Sequence, residues 1–291
     1  MNCILSFFVF LTLIFHSPRV TDPGSPESYR GDGWAQKEKI FVGSTPANSL
    51  VRTFLGISLT DSIDFIRWKL VLQDGQYQLQ CNYGIGQPNT NGFINGGKRV
   101  EWKGSFSKKE NAYQLNYSNR KLKLVELNTD LLHFINNDRH LLVGNGGWSY
   151  TLNCISPASS NLANVTTSPI VIKDSVEFEG RTPCGVPGII PSGKLCYKLK
   201  WYIVFYSNGE TQNSGRYRLF GTGWRGQGGL RGNWDIRSDK DDRIIYQLKD
   251  EQGKTFIHLL QLDERVLIFT DVNGKLLVGD EDFSYTLNRK N

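Results

Sequence analysis

From Arg67 the chain reads "RWKLVLQDGQYQLQCNY", with apolar residues at every second position. Trp68, Leu70 and Leu72 alternate with Arg67, Lys69 and Gln73, and Val71 is the exception. Tyr77, Leu79, Cys81 and Tyr83 then alternate with Gln76, Gln78, Gln80 and Asn82. A period of two marks half-buried strands. Asp74-Gly75 between two such runs signals a tight hairpin, because both residue types tolerate a positive φ. The pattern therefore predicts a β-hairpin with Cys81 facing inward. Further on, "AYQLNY", "KLKLVEL", "LLHFIN", "HLLVG" and "WSYTLN" are each short and bounded by Asn, Asp or Gly. Together they predict about six to eight strands in roughly a hundred residues, and no amphipathic helix.

The pattern is then written again. "LLVGNGGWSYTLN" (Leu141–Asn153) returns as "LLVGDEDFSYTLN" (Leu276–Asn288). "AYQL" at Ala112 answers "IYQL" at Ile245, and "RWKLVLQDG" at Arg67 answers "KWYIVFYSNG" at Lys200. "KRVEW" ending at Trp102 answers "LRGNW" ending at Trp234, and Gly56 is set against Gly180. Order is kept throughout, the mark of an internal duplication. The expected organisation is unit one at 52–153, a linker at 154–175 and unit two at 176–291. In this alignment unit two has the longer stretch between its glycine and the matched tryptophan. So many short strands per unit leave sheet edges to be covered, and closure into a barrel removes them. The expected fold is all-β: two tandem lipocalin-like antiparallel β-barrels, each closed by the same terminal hairpin. The tips, Asn145–Gly147 and Asp280–Asp282, are expected to drift because a loop tip carries few constraints.

The N-terminus differs from this pattern. "ILSFFVFLTLIF" (Ile4–Phe15) is shorter than the ~18–20 apolar residues of a membrane-spanning helix, and it fits a signal peptide over residues 1–25. Export places the protein in the periplasm, at an outer-membrane surface or outside the cell. Four cysteines then remain, an even number that suggests disulfides. Three pairings are open. Cys184 with Cys196 closes the shortest loop, which would leave Cys81 with Cys154. Asn116 and Asn164 are glycosylation acceptors only on a eukaryotic secretory route. The net charge of +6 is not gathered into a Lys/Arg stripe, so no nucleic acid is expected.

A duplicated active site should duplicate its residues. His133, His140 and His258 face Ile268, Lys275 and Lys123 in the other copy. No nucleophile elbow or His-Glu-x-x-His is present, and no enzymatic activity is expected. For binding, the candidates are Trp224 and Arg225 in "GTGWRGQGGLRGNW" and Trp148 beside the first tip, where Phe283 stands in the second. Arg99 and Arg231, each three residues before a matched tryptophan, suggest cation–π clamps across the barrel ends.

The opening of unit two, "FEGRTPCGVPGIIPSGKLCYKLKW", resembles the N-terminal domain of the NlpE family, envelope lipoproteins linked to copper resistance and envelope stress. Gly180, Pro183 and Cys184 match that family's opening; Pro187 stands where its second cysteine would be, and unit one has no cysteine there. The resemblance implies a small lipocalin-like barrel in a bacterial cell envelope and a role in envelope stress or copper homeostasis, with an envelope protein as partner. Copper would be the cofactor on that reading, although no metal-ligand spacing supports it. The alternatives are a secreted binder of a small apolar or sugar ligand and a structural or adhesion module.

Overall fold

The computed structural model describes residues 38–157, 167–189, 195–209, 213–221, 224, 228–239 and 241–290, all within the compact unit Gln36–Asn291. The expected signal segment, Asn164 and Arg225 lie outside the described residues. The chain folds into two closed eight-stranded antiparallel barrels in tandem, the all-β architecture expected from the pattern. The first runs β1 (Lys39–Thr45), β2 (Phe65–Gln73), β3 (Gln76–Gly84), β4 (Lys98–Lys109), β5 (Ala112–Tyr117), β6 (Arg120–Asn128), β7 (Leu131–Ile135) and β8 (Thr151–Cys154). The second runs β9 (Ser175–Thr182), β10 (Leu199–Ser207), β11 (Ser214–Gly221), β12 (Leu230–Ser238), β13 (Ile244–Lys249), β14 (Thr255–Gln261), β15 (Val266–Thr270) and β16 (Thr286–Arg289). Each strand pairs with the next, and β8 and β16 close onto β1 and β9. Asp74 and Gly75 turn β2 into β3 with φ of 46° and 73°. Inward side chains fill the interiors: Trp68, Leu70, Tyr77, Leu79 and Phe134 in the first barrel, Phe205, Tyr217, Trp234, Tyr246 and Phe269 in the second.

The register corrects the alignment read from the letters. Gly43, not Gly56, answers Gly180: Gly43 lies opposite Trp68, and Gly180 opposite Trp201. A Cβ at either would press on the closing strand, 2.9 Å from Leu152 Cδ2 or Leu287 Cδ2. The first barrel therefore opens at β1, ahead of residue 52, and its link from this glycine to the tryptophan is the longer one. Thr45 and Thr182 follow, and each accepts the indole N–H of its tryptophan, at 2.9 Å from Trp68 and 2.8 Å from Trp201. Trp102 and Trp234 are not equivalent. Trp102 sits opposite Leu79, whereas the residue opposite Leu219 is Leu230. The true match is Gly104 with Gly232, where a Cβ would come within 2.7 Å of the Tyr77 or Tyr217 hydroxyl. The expected Arg99 clamp is also replaced: Arg99 pairs with Glu101 at the surface, and Arg120 lies 5.0 Å over Trp102.

A helix that the period-two reading left out, α1 (Ser49–Leu55), closes one end of the first barrel with Val51, Phe54 and Leu55. Seven residues are too few to show a helical stripe, but the caps are in place. Asn48 Oδ1 accepts from Val51 N at 2.9 Å, and Gly56 takes the left-handed conformation that ends the helix. The corresponding β9–β10 connection carries the Cys184–Cys196 disulfide instead, with Val186, Ile189 and Cys196 against the core. Cys81 and Cys154 are not bonded to each other; both are buried free thiols. Their strands, β3 and β8, are separated around the wall by β1 and β2. Burial pushes the Cys81 thiol pKa well up, which keeps it unreactive. Part of the expected linker is structural: Ile170 and Ile172 pack into the second barrel's core, and Ile170 N donates to Tyr246 Oη at 3.1 Å.

The repeated phrase forms the contact between the barrels. Leu142 and Leu277 point into their own cores, while Leu141, Val143, Leu276 and Val278 join Leu127, Leu131, Leu260 and Ile268 in a cluster shared by both. Gly144 N donates to Asn288 Oδ1 at 2.6 Å, and reciprocally Gly279 N donates to Asn153 Oδ1 at 2.9 Å. Ser149 meets Ser284 at 2.5 Å, and Thr151 meets Thr286 at 3.0 Å. Ser149 and Thr151 each contact their own counterpart, which places these two pairs on a pseudo-two-fold axis, the arrangement of an isologous dimer. The flanks of the phrase are thus held by two demands at once, their own barrel and the other one.

Candidate functional site

The tips are tight turns. Asn145 Oδ1 accepts from Gly147 N and Trp148 N at 3.1 and 3.0 Å; Asp280 Oδ1 accepts from Asp282 N and Phe283 N at 2.9 and 2.8 Å. The expectation that loop tips carry few constraints does not hold, because each docks on the opposite barrel. Gly146 lies against the Glu179 carboxylate, and Arg181 sits 5.5 Å over the Trp148 ring. On the other side Ser44 Oγ donates to Glu281 O at 2.8 Å, and Arg67 forms an ion pair with Asp282. The tip sequences differ because the surfaces they meet differ.

Between the docked tips runs a groove of about 710 Å³. One wall is an aromatic stack. Trp148 lies on Phe65 with centroids 4.5 Å apart, and Phe65 lies on Phe93 at 4.2 Å. Phe93 is brought there by the β3–β4 connection folding back on itself, with Ile94 N bonded to Ile85 O and Gln87 N to Gly92 O, both at 2.9 Å. The same fold-back lays Gln87, Asn89, Thr90 and Asn91 along the rim. Asn91 Nδ2 donates to Asp282 Oδ2 at 2.7 Å, which fixes this loop to the second barrel. Basic side chains from the second barrel also line it: Arg181 from β9, Lys200 from β10 and Lys198 just before it, with Phe283 and Tyr197. Lys198 lies 5.3 Å over the Phe283 ring, and its pKa is lowered by burial first and then by the charges of Arg181 and Lys200. Tyr197 is 86% exposed.

Trp148 is therefore part of a constructed site. Trp224 belongs elsewhere, half-buried at one end of the second barrel with its ring 6.2 Å from Trp201, in a separate apolar recess with Val186, Ile189 and Phe256. The structure does not bring these two tryptophans together. The sequence reading missed Phe65, Arg181, Tyr197 and Lys198. None carries a periodic signal, and the site exists only where the two units meet. His133 is fully buried, bonded through Nδ1 to Thr151 Oγ1 and through Nε2 to Leu142 O, both at 2.9 Å. Among the described residues no group of three or more His, Cys, Asp or Glu side chains is placed to hold a metal ion. The sequence matches no family model, no curated protein and no solved structure, so the groove is interpreted from its own geometry.

Proposed function

We propose that this chain is an exported, non-enzymatic binding protein and that its ligand is a carbohydrate lying in the groove between the barrels. The observation that carries the reading is the groove itself, where the half-buried Trp148 and the exposed Tyr197 lie beside an amide- and hydroxyl-bearing rim. Sugar rings offer apolar C–H faces to aromatic rings and hydroxyls to amides, so the two surfaces match the two sides of such a ligand. The Cys184–Cys196 disulfide supports export, since such bonds persist in oxidising compartments. A small apolar ligand inside either barrel is disfavoured by the side chains that fill both. The envelope-stress and copper role of the NlpE type would draw on cysteine thiolates. Two of the four cysteines are in a disulfide and the other two lie on separated strands.

The test is titration of the full mature chain with a panel of neutral and acidic oligosaccharides, followed by tryptophan fluorescence and calorimetry. Binding should weaken about tenfold in Tyr197→Ala, with the melting temperature unchanged because this ring is exposed. Trp148→Phe, which copies the second tip, should remove the fluorescence response. If no oligosaccharide binds, the carbohydrate reading fails and a structural module whose partner is a protein takes its place.

A further inference from the structure

The outer wall of the second barrel carries a separate feature. Arg218 on β11 stands directly opposite Arg231 on β12, and Arg216 lies two residues along β11, between Asn233 and Tyr206 in the register. All three line a recess of about 490 Å³ on that wall, with Tyr206, Asn233 and Glu251 beside them. Like charges set opposite each other on paired strands cost stability. Arg218 is held by neutral groups: its Nε donates to Gly228 O at 2.7 Å, and its guanidinium lies 4.8 Å over the Phe220 ring. Among the described residues none of the three arginines forms an ion pair. The nearby carboxylates Asp235 and Glu177 are taken by Lys249 and Lys290. Glu251 is the one carboxylate that lines the recess, against three guanidiniums. We infer that Arg216, Arg218 and Arg231 form a second binding site, which takes the phosphate or sulfate group of a monoester. Neighbouring arginines are about 5 Å apart across the strand pair and about 7 Å apart along it, so their forks can converge on one group. A carboxylate has two oxygens and suits one fork, whereas a phosphate or sulfate monoester offers three terminal oxygens.

The duplication supplies the comparison. With Gly104 matched to Gly232, Gln78 stands opposite Lys103 as Arg218 stands opposite Arg231, and Gln76 stands opposite Ser105 as Arg216 stands opposite Asn233. The first barrel therefore builds the same strand pair with Gln76, Gln78 and Lys103. The fold does not need arginine at these places, and the site belongs to the second barrel alone. It shares no residue with the groove between the barrels, so failure of either assignment leaves the other standing.

The experiment is calorimetric titration of the full mature chain with glucose 6-phosphate, glucose 6-sulfate, inorganic phosphate, inorganic sulfate and acetate, all at one ionic strength so that screening is constant. At least one of the two esters should bind about tenfold or more tighter than acetate, and the tighter of the two identifies the group. The combined change Arg216→Gln, Arg218→Gln and Arg231→Lys, which installs the first barrel's residues, should remove that preference. Arg231→Lys alone keeps the charge and loses the fork, and it should weaken the ester about threefold or more. Lys103→Gln, which removes a charge at the matched position of the first barrel, should leave ester binding as it is. The ester should also raise the melting temperature of the wild type and not that of the triple variant. Equal binding of esters and acetate, or ester binding unchanged by both the triple variant and Arg231→Lys, would overturn the inference. Binding of the inorganic ions but of neither ester would overturn the assignment to a monoester. A loss in Lys103→Gln as large as that in the triple variant would show a response to overall charge, and would overturn the site itself.

Discussion

His133 has no polar counterpart in the second unit, where Ile268 takes its place, and its two hydrogen bonds set the direction of a buried chain of hydroxyls. Leu142 O can only accept, so Nε2 carries the proton and Nδ1 must accept from Thr151. Thr151 Oγ1 then accepts from Thr286, Thr286 accepts from Ser284, and Ser284 accepts from Ser149. Protonating the imidazole would turn Nδ1 into a second donor facing a donor, and burial already lowers its pKa from 6.5 to about 4. The sign follows. Between these values the unfolded chain binds a proton that the folded chain refuses, so stability falls as the pH drops below 6.5, and it is flat above that. The full loss, reached below pH 4, is about 3 kcal/mol. Urea midpoints at pH 7, 5.5 and 4.5 should fall more steeply for the wild type than for His133→Ile. Parallel slopes would show that this imidazole does not govern acid sensitivity. Thr151→Val removes a shared hydroxyl on the axis, and it should cost about 1–3 kcal/mol in denaturant unfolding.

At the level of elements, the two barrels close the same end by different means, one with a capped helix and one with a disulfide. The chain-entropy model gives the Cys184–Cys196 cross-link, which spans 12 residues, roughly 2–3 kcal/mol. Cys184→Ser should lower the melting temperature under oxidising conditions, and an unchanged value would mean that Val186 and Ile189 hold the loop unaided. Gly75→Ala in the β2–β3 turn, at φ 73° with open space around the added methyl, should cost about 1 kcal/mol by conformation alone. This hairpin was fully legible because its signal is local: period two on both sides and two turn residues between. β1 was not, because "IFVGSTP" and "EFEGRTP" share only Phe-x-Gly-x-Thr-Pro, too short a match to stand out, although it holds the core phenylalanine, the glycine on the closing strand and the threonine on the indole. Matching Trp102 to Trp234 failed for a related reason. The eye aligns large residues, whereas the register is set by Gly104 and Gly232, the small residues beneath two tyrosines. The groove was legible only at Trp148, since its other walls come from loop and strand-end positions that a second barrel brings into place.

For the whole molecule, the shared apolar cluster and the reciprocal Gly–Asn bonds make the barrels a single folding unit rather than two beads on a tether. Scanning calorimetry should show one cooperative transition, and two resolved peaks would contradict that coupling. The pairing of tip with barrel can be tested directly. Asp282→Arg sets two cations face to face and should destabilise the protein, and adding Arg67→Asp should restore part of the loss. The coupling energy expected from a partly exposed pair is about 1 kcal/mol. A double variant no more stable than the sum of its single changes would remove the ion pair from the account of how the tips are chosen.

Because the two barrels share one chain, a change on the axis is made once. In a dimer of identical barrels the imidazole of His133 would appear on both sides, at the position of Ile268 too, and the apolar cluster between the halves would lose that isoleucine. A charge placed on one tip would likewise be placed on the other, against a surface that it does not fit. Covalent fusion frees each half to mutate separately while the shared framework of Gly144, Asn153, Gly279 and Asn288 stays in register. One half can then acquire a basic wall, and the other a loop that leans across to meet it, without either change being copied onto its twin.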